Sequence, residues 1–307
     1  MAEGRRAILI AGPTASGKSA AALALARRLG GMIVNADAMQ VYAELKVLSA
    51  RPGPEDERVA PHRLFGHVPA SEAYSAARWL EDARHALADA WGQGQVAIVV
   101  GGTGLYFRSL EKGLSDVPDV PPEIRSKWRR ALAERGPEAL HGELAARAPD
   151  EARRLRPSDG QRIARALEVL EATGEPLGVH HARAVPSPLA GAEVTRLAIV
   201  PDRAALYRRC DERFLRMLDE GALDEVRRLL ALNLDPALPA MRAIGVAPLA
   251  RHLCGDIPLD EAVRIAQRET RNYAKRQLTW LRHQMEGYEP VPDAAAVVAR
   301  CLDLSGR

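Results

Sequence analysis

The chain has 307 residues, 47% of them hydrophobic but only 4% aromatic, and a formal net charge of +3. That length carries one large core or a core with an insertion, and it excludes a small disulfide scaffold, since Cys210, Cys254 and Cys301 are odd in number, far apart and in no metal-ligand spacing. No apolar run reaches the length of a membrane span, and the run after the basic Met1–Arg6 is too short for a secretion signal, so a soluble, cytoplasmic protein is expected.

Ala7–Ile10 reads as a short buried strand. Behind it, Gly12-Pro13-Thr14-Ala15-Ser16-Gly17-Lys18-Ser19 fits the phosphate-loop pattern G-x-x-x-x-G-K-[ST] at every fixed position, and Ala20–Leu29 continues as a helix of strong helix formers. Strand, glycine loop and helix stand in the order such a loop requires. The glycines let N–H groups turn in on phosphate oxygens, and the helix adds the positive end of its dipole. Lys18 is expected on terminal phosphates and the Ser19 hydroxyl on a magnesium ion. The pattern announces a diphosphate or triphosphate, not what hangs from it.

Met32–Val34 reads as a second strand, ending in Asn35-Ala-Asp37. An acid past a strand's carboxyl end lies where open α/β sheets put ligands. Three readings of Asp37 stay open: a magnesium ligand, the cap of a helix starting near Met39, or a general base. Pro52-Gly-Pro54 marks a loop, and His62 on its own signals nothing. Ser71–Trp91 has helical periodicity and reads as a crossover helix. Val96–Val100 reads as a buried central strand, followed by Gly101-Gly-Thr103-Gly in place of the aspartate of an ordinary phosphate-loop ATPase. Glycines there would let a ligand approach the backbone, with the Thr103 hydroxyl as its partner.

From Asp116 to Pro122 prolines suggest a linker. Short charged helices are expected over 123–135, 137–147, 150–156 and 158–173, the last capped by Ser158 and stopped by Gly174. Their arginines, among them Arg125, Arg162 and Arg165, make the segment basic enough to follow a nucleic-acid backbone. Gly174–Gly191, with His180-His181, reads as a loop and is weak as a metal site. Ala192–Val200 resumes strand character, a helix opens after Pro201, another covers 224–232, Met241–Val246 is an apolar turn, and Leu259–Gln284 is a long cationic helix. The fold class is therefore α/β: a P-loop NTPase-like parallel sheet core flanked by helices (1–120 and 192–307), with an all-helical insertion domain at 121–191.

Taken together, Gly12–Ser19, Asn35–Tyr42, Gly101–Tyr106, Asp159–Arg165, Arg242–Gly245 and Tyr273–Trp280 resemble, in order and over almost the whole chain, the bacterial tRNA dimethylallyltransferases. The resemblance implies that the loop holds dimethylallyl diphosphate, with Mg2+, and that the exocyclic amine of a flipped adenine beside the anticodon is alkylated. It gives Asp37 the role of base, puts Thr103 near the adenine, and sets Arg213 of the Arg213-Phe214 pair on the leaving diphosphate. It assigns contacts with the tRNA anticodon stem-loop to Asp37, Ala38, Met39 and Gln40, to Thr103 and Arg125, to Gln161, Arg162, Ile163, Ala164 and Arg165, and to Arg242, Ala243, Ile244, Gly245, Val246 and Ala247, in an enzyme expected to act as a monomer. Three departures stand out. Ala38 occupies a common serine position, Ser49-Ala-Arg51-Pro replaces Gly-Thr-Ala-Lys-Pro, and Val246 replaces a tyrosine. The alternatives are a small-molecule or nucleotide kinase and a non-catalytic, nucleotide-gated RNA-binding protein.

Overall fold

The computed structural model describes residues 4–114, 119–181 and 186–305. The first half of the core runs β1 (Arg6–Ala11), α1 (Lys18–Leu29), β2 (Met32–Asn35), α2 (Pro54–Val59), β3 (His62–Arg63), α3 (Ala76–Gly92), β4 (Ala97–Gly101) and α4 (Gly104–Lys112). A helical stretch follows: α5 (Pro122–Arg147), α6 (Pro149–Ala152), α7 (Gly160–Thr173) and α8 (Leu177–His181). The core then resumes with β5 (Glu193–Ile199), α9 (Arg203–Asp219), α10 (Ala222–Ala231), a 3-10 turn (Ala240–Arg242), α11 (Val246–Leu253), α12 (Leu259–Gln284), β6 (Glu289–Val291) and α13 (Ala294–Ser305).

The six strands form one sheet in the order β3-β2-β4-β1-β5-β6, and every neighbouring pair is parallel. Parallel sheets need both faces covered. Ile8, Ile10, Ile33, Ile98, Val100, Leu197 and Ile199 therefore pack with Ala22 and Leu25 of α1 and Val297 of α13. On the sheet's other face Trp79 of α3 is fully buried, stacks on Tyr106 at 4.2 Å between ring centroids, and donates its indole N–H to the Asn35 carbonyl at 2.9 Å. Because all strands point the same way, the loops after β1, β2 and β4 leave from one edge of the sheet. β4 lies between the other two, so these loops are neighbours.

The chain divides into two compact units, 1–111 with 187–307, and 112–186, where the sequence suggested 121–191 for the insertion. The smaller unit has its own core, in which Trp128, Leu140 and Leu144 of α5 meet Ile163, Ala164 and Leu167 of α7. Its two first expected helices are one element broken at Gly136 (φ 76) before Pro137. Asp159, not Ser158, caps α7, and Gly174 (φ 75) ends it. The stretch read as a loop contains α8, where His180 is buried 3.3 Å from the Thr173 hydroxyl. The expected linker and the remainder of that loop include residues 115–118 and 182–185, which lie outside the described residues.

Elsewhere α3 starts at Ala76 rather than Ser71, because the Ser75 hydroxyl caps it by accepting the Arg78 N–H at 3.1 Å. The sequence missed α2, α11, α13 and the edge strands β3 and β6. Among the described residues no helix is long and apolar enough to cross a membrane.

Candidate active site

Backbone hydrogen bonds tie the three neighbouring loops together: Gly12 N–H to the Gly101 carbonyl at 3.2 Å, Ala36 N–H to Val100 at 2.8 Å, and Thr103 N–H to Ala36 at 3.1 Å. Asn35, fully buried at the end of β2, fixes what comes next. Its Oδ1 accepts the Asp37 N–H at 2.8 Å, while its Nδ2 donates to the carbonyls of Asp37 and Leu64 at 2.9 and 3.0 Å. Asp37 Oδ1 in turn accepts the Met39 N–H at 3.0 Å. This is an Asx-type turn, and no helix begins there, so the helix-cap reading of Asp37 falls. The Thr103 hydroxyl accepts the Ala38 N–H at 2.9 Å.

The phosphate loop bends through Ala15 (φ 60) and Gly17 (φ 90). A side chain at Gly12 would press against Ser16, its Cβ 2.7 Å from Oγ. The Ser16 hydroxyl is buried with no protein partner. A helix starting at Lys18 leaves its first N–H groups without intrahelical acceptors, and these are what an anion would engage. Lys18 is itself buried, its Nζ donating to the Pro13 carbonyl at 3.2 Å. Burial pulls its pKa down to about 8, partly opposed by the charge of Asp37. Ser19, in the first turn of α1, is exposed. Arg213 reaches across from α9 to donate to the Thr14 hydroxyl, and burial lowers its pKa too.

Of these groups Thr14, Asp37 and Arg213 line a cavity of about 240 Å³. Cys210 and Tyr273 line it with them, together with the apolar Leu48, Phe214, Met217 and Ala243. Arg242 and Arg276, both exposed, also line it. Three arms of the chain meet here: the sheet edge, α9, and one face of α12 on which Thr270, Tyr273, Gln277 and Trp280 recur at helical spacing.

The glycines at the end of β4 and just beyond it serve a purpose that the sequence did not reveal. A Cβ on Gly101 would collide with the Ala36 carbonyl, one on Gly102 with the Gln277 amide, and one on Gly104 with the Trp280 indole. The protein itself, not a ligand, makes the close approach. Gln277 is buried; its Oε1 accepts the Thr14 N–H at 2.8 Å, and its Nε2 donates to the Gly102 carbonyl at 2.9 Å. One side chain thus joins the loops after β1 and β4. Gln277 and Tyr273 stand in a block singled out from the sequence, but only spacing 273–277–280 along α12 would have hinted that they face inward.

The residues expected to contact RNA separate in the structure. Ala38, Met39, Arg242, Ala243 and Ile244 line the cavity with Asp37. Thr103 stands beside it, through its bond to Ala38. Gln40 does not present its amide outward: it is buried and donates to the carbonyls of Ser49 and Ala50 at 2.9 and 3.0 Å. Val246 is buried in a core cluster, Gly245 (φ 96) is buried against Leu48 and Phe214, and Ala247 is exposed. In the helical unit Arg125 is half-buried while Gln161 and Arg162 are exposed. The side chains of Ile163 and Ala164 face that unit's own core. Arg165 pairs with the buried Glu168 at 3.3 Å.

The sequence profile of the IPP transferases matches residues 40–284, and that of the isopentenyl transferases matches residues 5–65. A tRNA dimethylallyltransferase of Rhodopseudomonas palustris (strain BisB18) is 56% identical over 292 residues, which are 95% of this chain and 92% of the relative. One of Rhodospirillum centenum is 52% identical, covering 97% of both chains. Among solved structures, the tRNA isopentenylpyrophosphate transferase of Bacillus halodurans superposes with a TM-score of 0.69 at 28% identity, over 98% of this chain and 96% of that one. A eukaryotic dimethylallyltransferase, solved as acting on tRNA, gives a TM-score of 0.81 at 25% identity, over 98% of this chain and 79% of that one.

Proposed function

This chain belongs to the IPP transferase family, the tRNA dimethylallyltransferases, and from that premise we propose how its cavity moves a dimethylallyl group from dimethylallyl diphosphate to N6 of the adenine next to the anticodon. The observation that carries the reading is the convergence of Thr14, Asp37 and Arg213 on one cavity beside Lys18. An anion site and a carboxylate stand together at the edge of a phosphate-loop sheet.

The diphosphate lies on the first turn of α1, with Lys18 and Arg213 against its oxygens. The adenine enters from the side of Arg242 and Arg276, unstacked from its loop as a base in single-stranded RNA readily is. N6 attacks C1 of the dimethylallyl group, the C–O bond breaks, and its electron pair leaves with diphosphate. The Asp37 carboxylate takes the N6 proton. An aromatic amine is a poor nucleophile, so this proton acceptor is needed as the new bond forms. Lys18 and Arg213 face the negative charge that builds on the leaving group, where electrostatic stabilisation is worth most. Asn35 and the Met39 N–H hold Asp37 in place, and Thr103 orients the chain at Ala38 against the base.

The donor set also fits a magnesium ion. Among the described residues no group of three or more His, Cys, Asp or Glu is arranged to cage a metal, and magnesium characteristically takes few protein ligands and relies on substrate phosphates and water. Ser19 would hold it together with the diphosphate, where it would neutralise phosphate charge.

The test is incubation with unmodified tRNA and labelled dimethylallyl diphosphate, with and without magnesium. Label in RNA at the adenine is the expected result. Phosphate transfer from ATP would instead point to a kinase, and RNA retention without turnover to a binding protein; family membership favours neither.

A further inference from the structure

The α9 face lining the cavity changes character along its length. Cys210, Arg213, Phe214 and Met217 recur at helical spacing. Arg213 is tied to Thr14 of the phosphate loop, whereas Phe214 and Met217, 2% and 4% exposed, are rooted in an apolar cluster with Val226, Leu249 and Ala266. Four residues of helix, about 6 Å of axis, separate Arg213 from Met217. The wall at this end is closed from behind as well. A Cβ on Gly245 would come within 2.9 Å of Leu48 and 3.1 Å of the Phe214 ring, so the neighbouring backbone is already packed hard against both.

We propose that Phe214 and Met217, backed by Leu48, form the floor of the prenyl pocket and set the length of the alkyl chain the enzyme transfers. This rests on the reading of the cavity as the dimethylallyl diphosphate site. A diphosphate anchored at Arg213 and the phosphate loop points its organic end along α9, where a five-carbon branched group meets an apolar wall at Met217. A second isoprene unit would have to displace Met217 or Phe214 from a close-packed cluster, and overpacking of that kind is not tolerated without movement of the surroundings. Selection among donors that share a diphosphate and an allylic carbon is then steric.

The experiment compares dimethylallyl and geranyl diphosphate as donors to tRNA, by kcat/KM for each and by competition of the longer donor against the shorter. In the unaltered enzyme geranyl diphosphate should compete at least tenfold more weakly; equal competition would overturn the proposal without any variant. Met217→Ala should raise the geranyl-to-dimethylallyl ratio of kcat/KM at least tenfold, Phe214→Leu should raise it in the same direction, and Met217→Leu, which conserves volume, should leave it near the starting value. KM for tRNA should stay put throughout. Thermal unfolding identifies a variant that fails to fold, in which case the other opening variant decides. Folded Met217→Ala and Phe214→Leu proteins with an unmoved ratio would sink the proposal while leaving the cavity reading intact. An unaltered enzyme unable to use dimethylallyl diphosphate would instead sink the reading beneath it.

Discussion

The backbone N–H of Ala38 donates to the Thr103 hydroxyl at 2.9 Å, across 65 residues of sequence. This bond pins the segment carrying Asp37 to the loop after β4. Thr103→Val keeps the shape and removes the acceptor, leaving a partly buried N–H unpaired, which costs about 1–3 kcal/mol. The expected outcome is a fall in kcat of roughly tenfold with little change in donor KM, and recovery in Thr103→Ser. Equal losses in the Val and Ser variants would mean that the methyl group, not the hydroxyl, matters.

Asp37 has two jobs that one pair of variants separates. Its Oδ1 holds the Met39 N–H, and its charge is the proposed proton acceptor. Asp37→Asn keeps an oxygen for the turn and abolishes the base; Asp37→Ala loses both. Both should lower turnover by about a hundredfold or more, while only the alanine variant should also lower the melting temperature. Turnover of Asp37→Asn within a few-fold of the starting enzyme would remove Asp37 from the chemistry.

Lys18 gives the donor step a pH limit. Burial lowers its pKa to about 8 from 10.5, so the free enzyme carries fewer protons there than the unfolded chain between those values. Stability therefore rises with pH across that window, since the cost of burying the ammonium is present below pH 8 and relieved above it. Binding is expected to have the opposite sense, because the proposed contact of Lys18 with the diphosphate needs the charged form. For the donor, kcat/KM, which reports the free enzyme, should fall as pH rises through about 8, and Lys18→Arg should move that limb upward. A profile flat to pH 10 in the unaltered enzyme would contradict the role given to Lys18.

What could be read from sequence follows from how local each signal is. The phosphate loop lies within a dozen consecutive residues, and β4 and α12 announce themselves by a β-branched run and by sustained periodicity. β3 and β6 have only two and three residues, and β6 contains Pro290, so neither carries a pattern; the parallel partner creates the strand. The work of Asn35, Gln277 and Glu225 was invisible for the same reason. Glu225, buried on α10, accepts the N–H groups of Lys46, Val47 and Leu48 at 2.7–2.9 Å, a contact across almost 180 residues that no spacing rule encodes. Gln40 shows the converse. A polar residue in a functional block turned inward to serve two carbonyls.

Gly102 and Gln277 are complementary, and the pair predicts non-additivity. Gly102→Ala drives a methyl group into the Gln277 amide, which should lower the melting temperature and raise donor KM, since Thr14 loses its anchor. Gln277→Ala alone should also raise donor KM. In the double variant the collision with the amide is gone and only the tight 3.1 Å approach to the Gly12 carbonyl remains, so its cost should be less than the sum of the two, with a coupling of about 0.5–3 kcal/mol. Strict additivity would show that the two residues act separately.

The helical unit is expected to grip RNA by charge, and its arginines are not equivalent. Arg162 is exposed, with only a loose 3.5 Å pairing to Asp159 within its own helix turn, so its charge remains available to a phosphate. Arg125 is half-buried near the start of α5. Arg165 differs, since it compensates Glu168, which is buried in the unit; removing it strands a carboxylate and tests folding rather than binding. The informative variant is therefore Arg125→Gln with Arg162→Gln, and Arg165→Gln serves as the structural contrast. The double variant should raise KM for tRNA and reduce the slope of its affinity against salt by about one per lost phosphate contact, with donor KM and melting temperature unchanged. Arg165→Gln should lower the melting temperature first. A stable double variant with an unchanged tRNA KM and salt slope would take these two arginines out of the RNA interface.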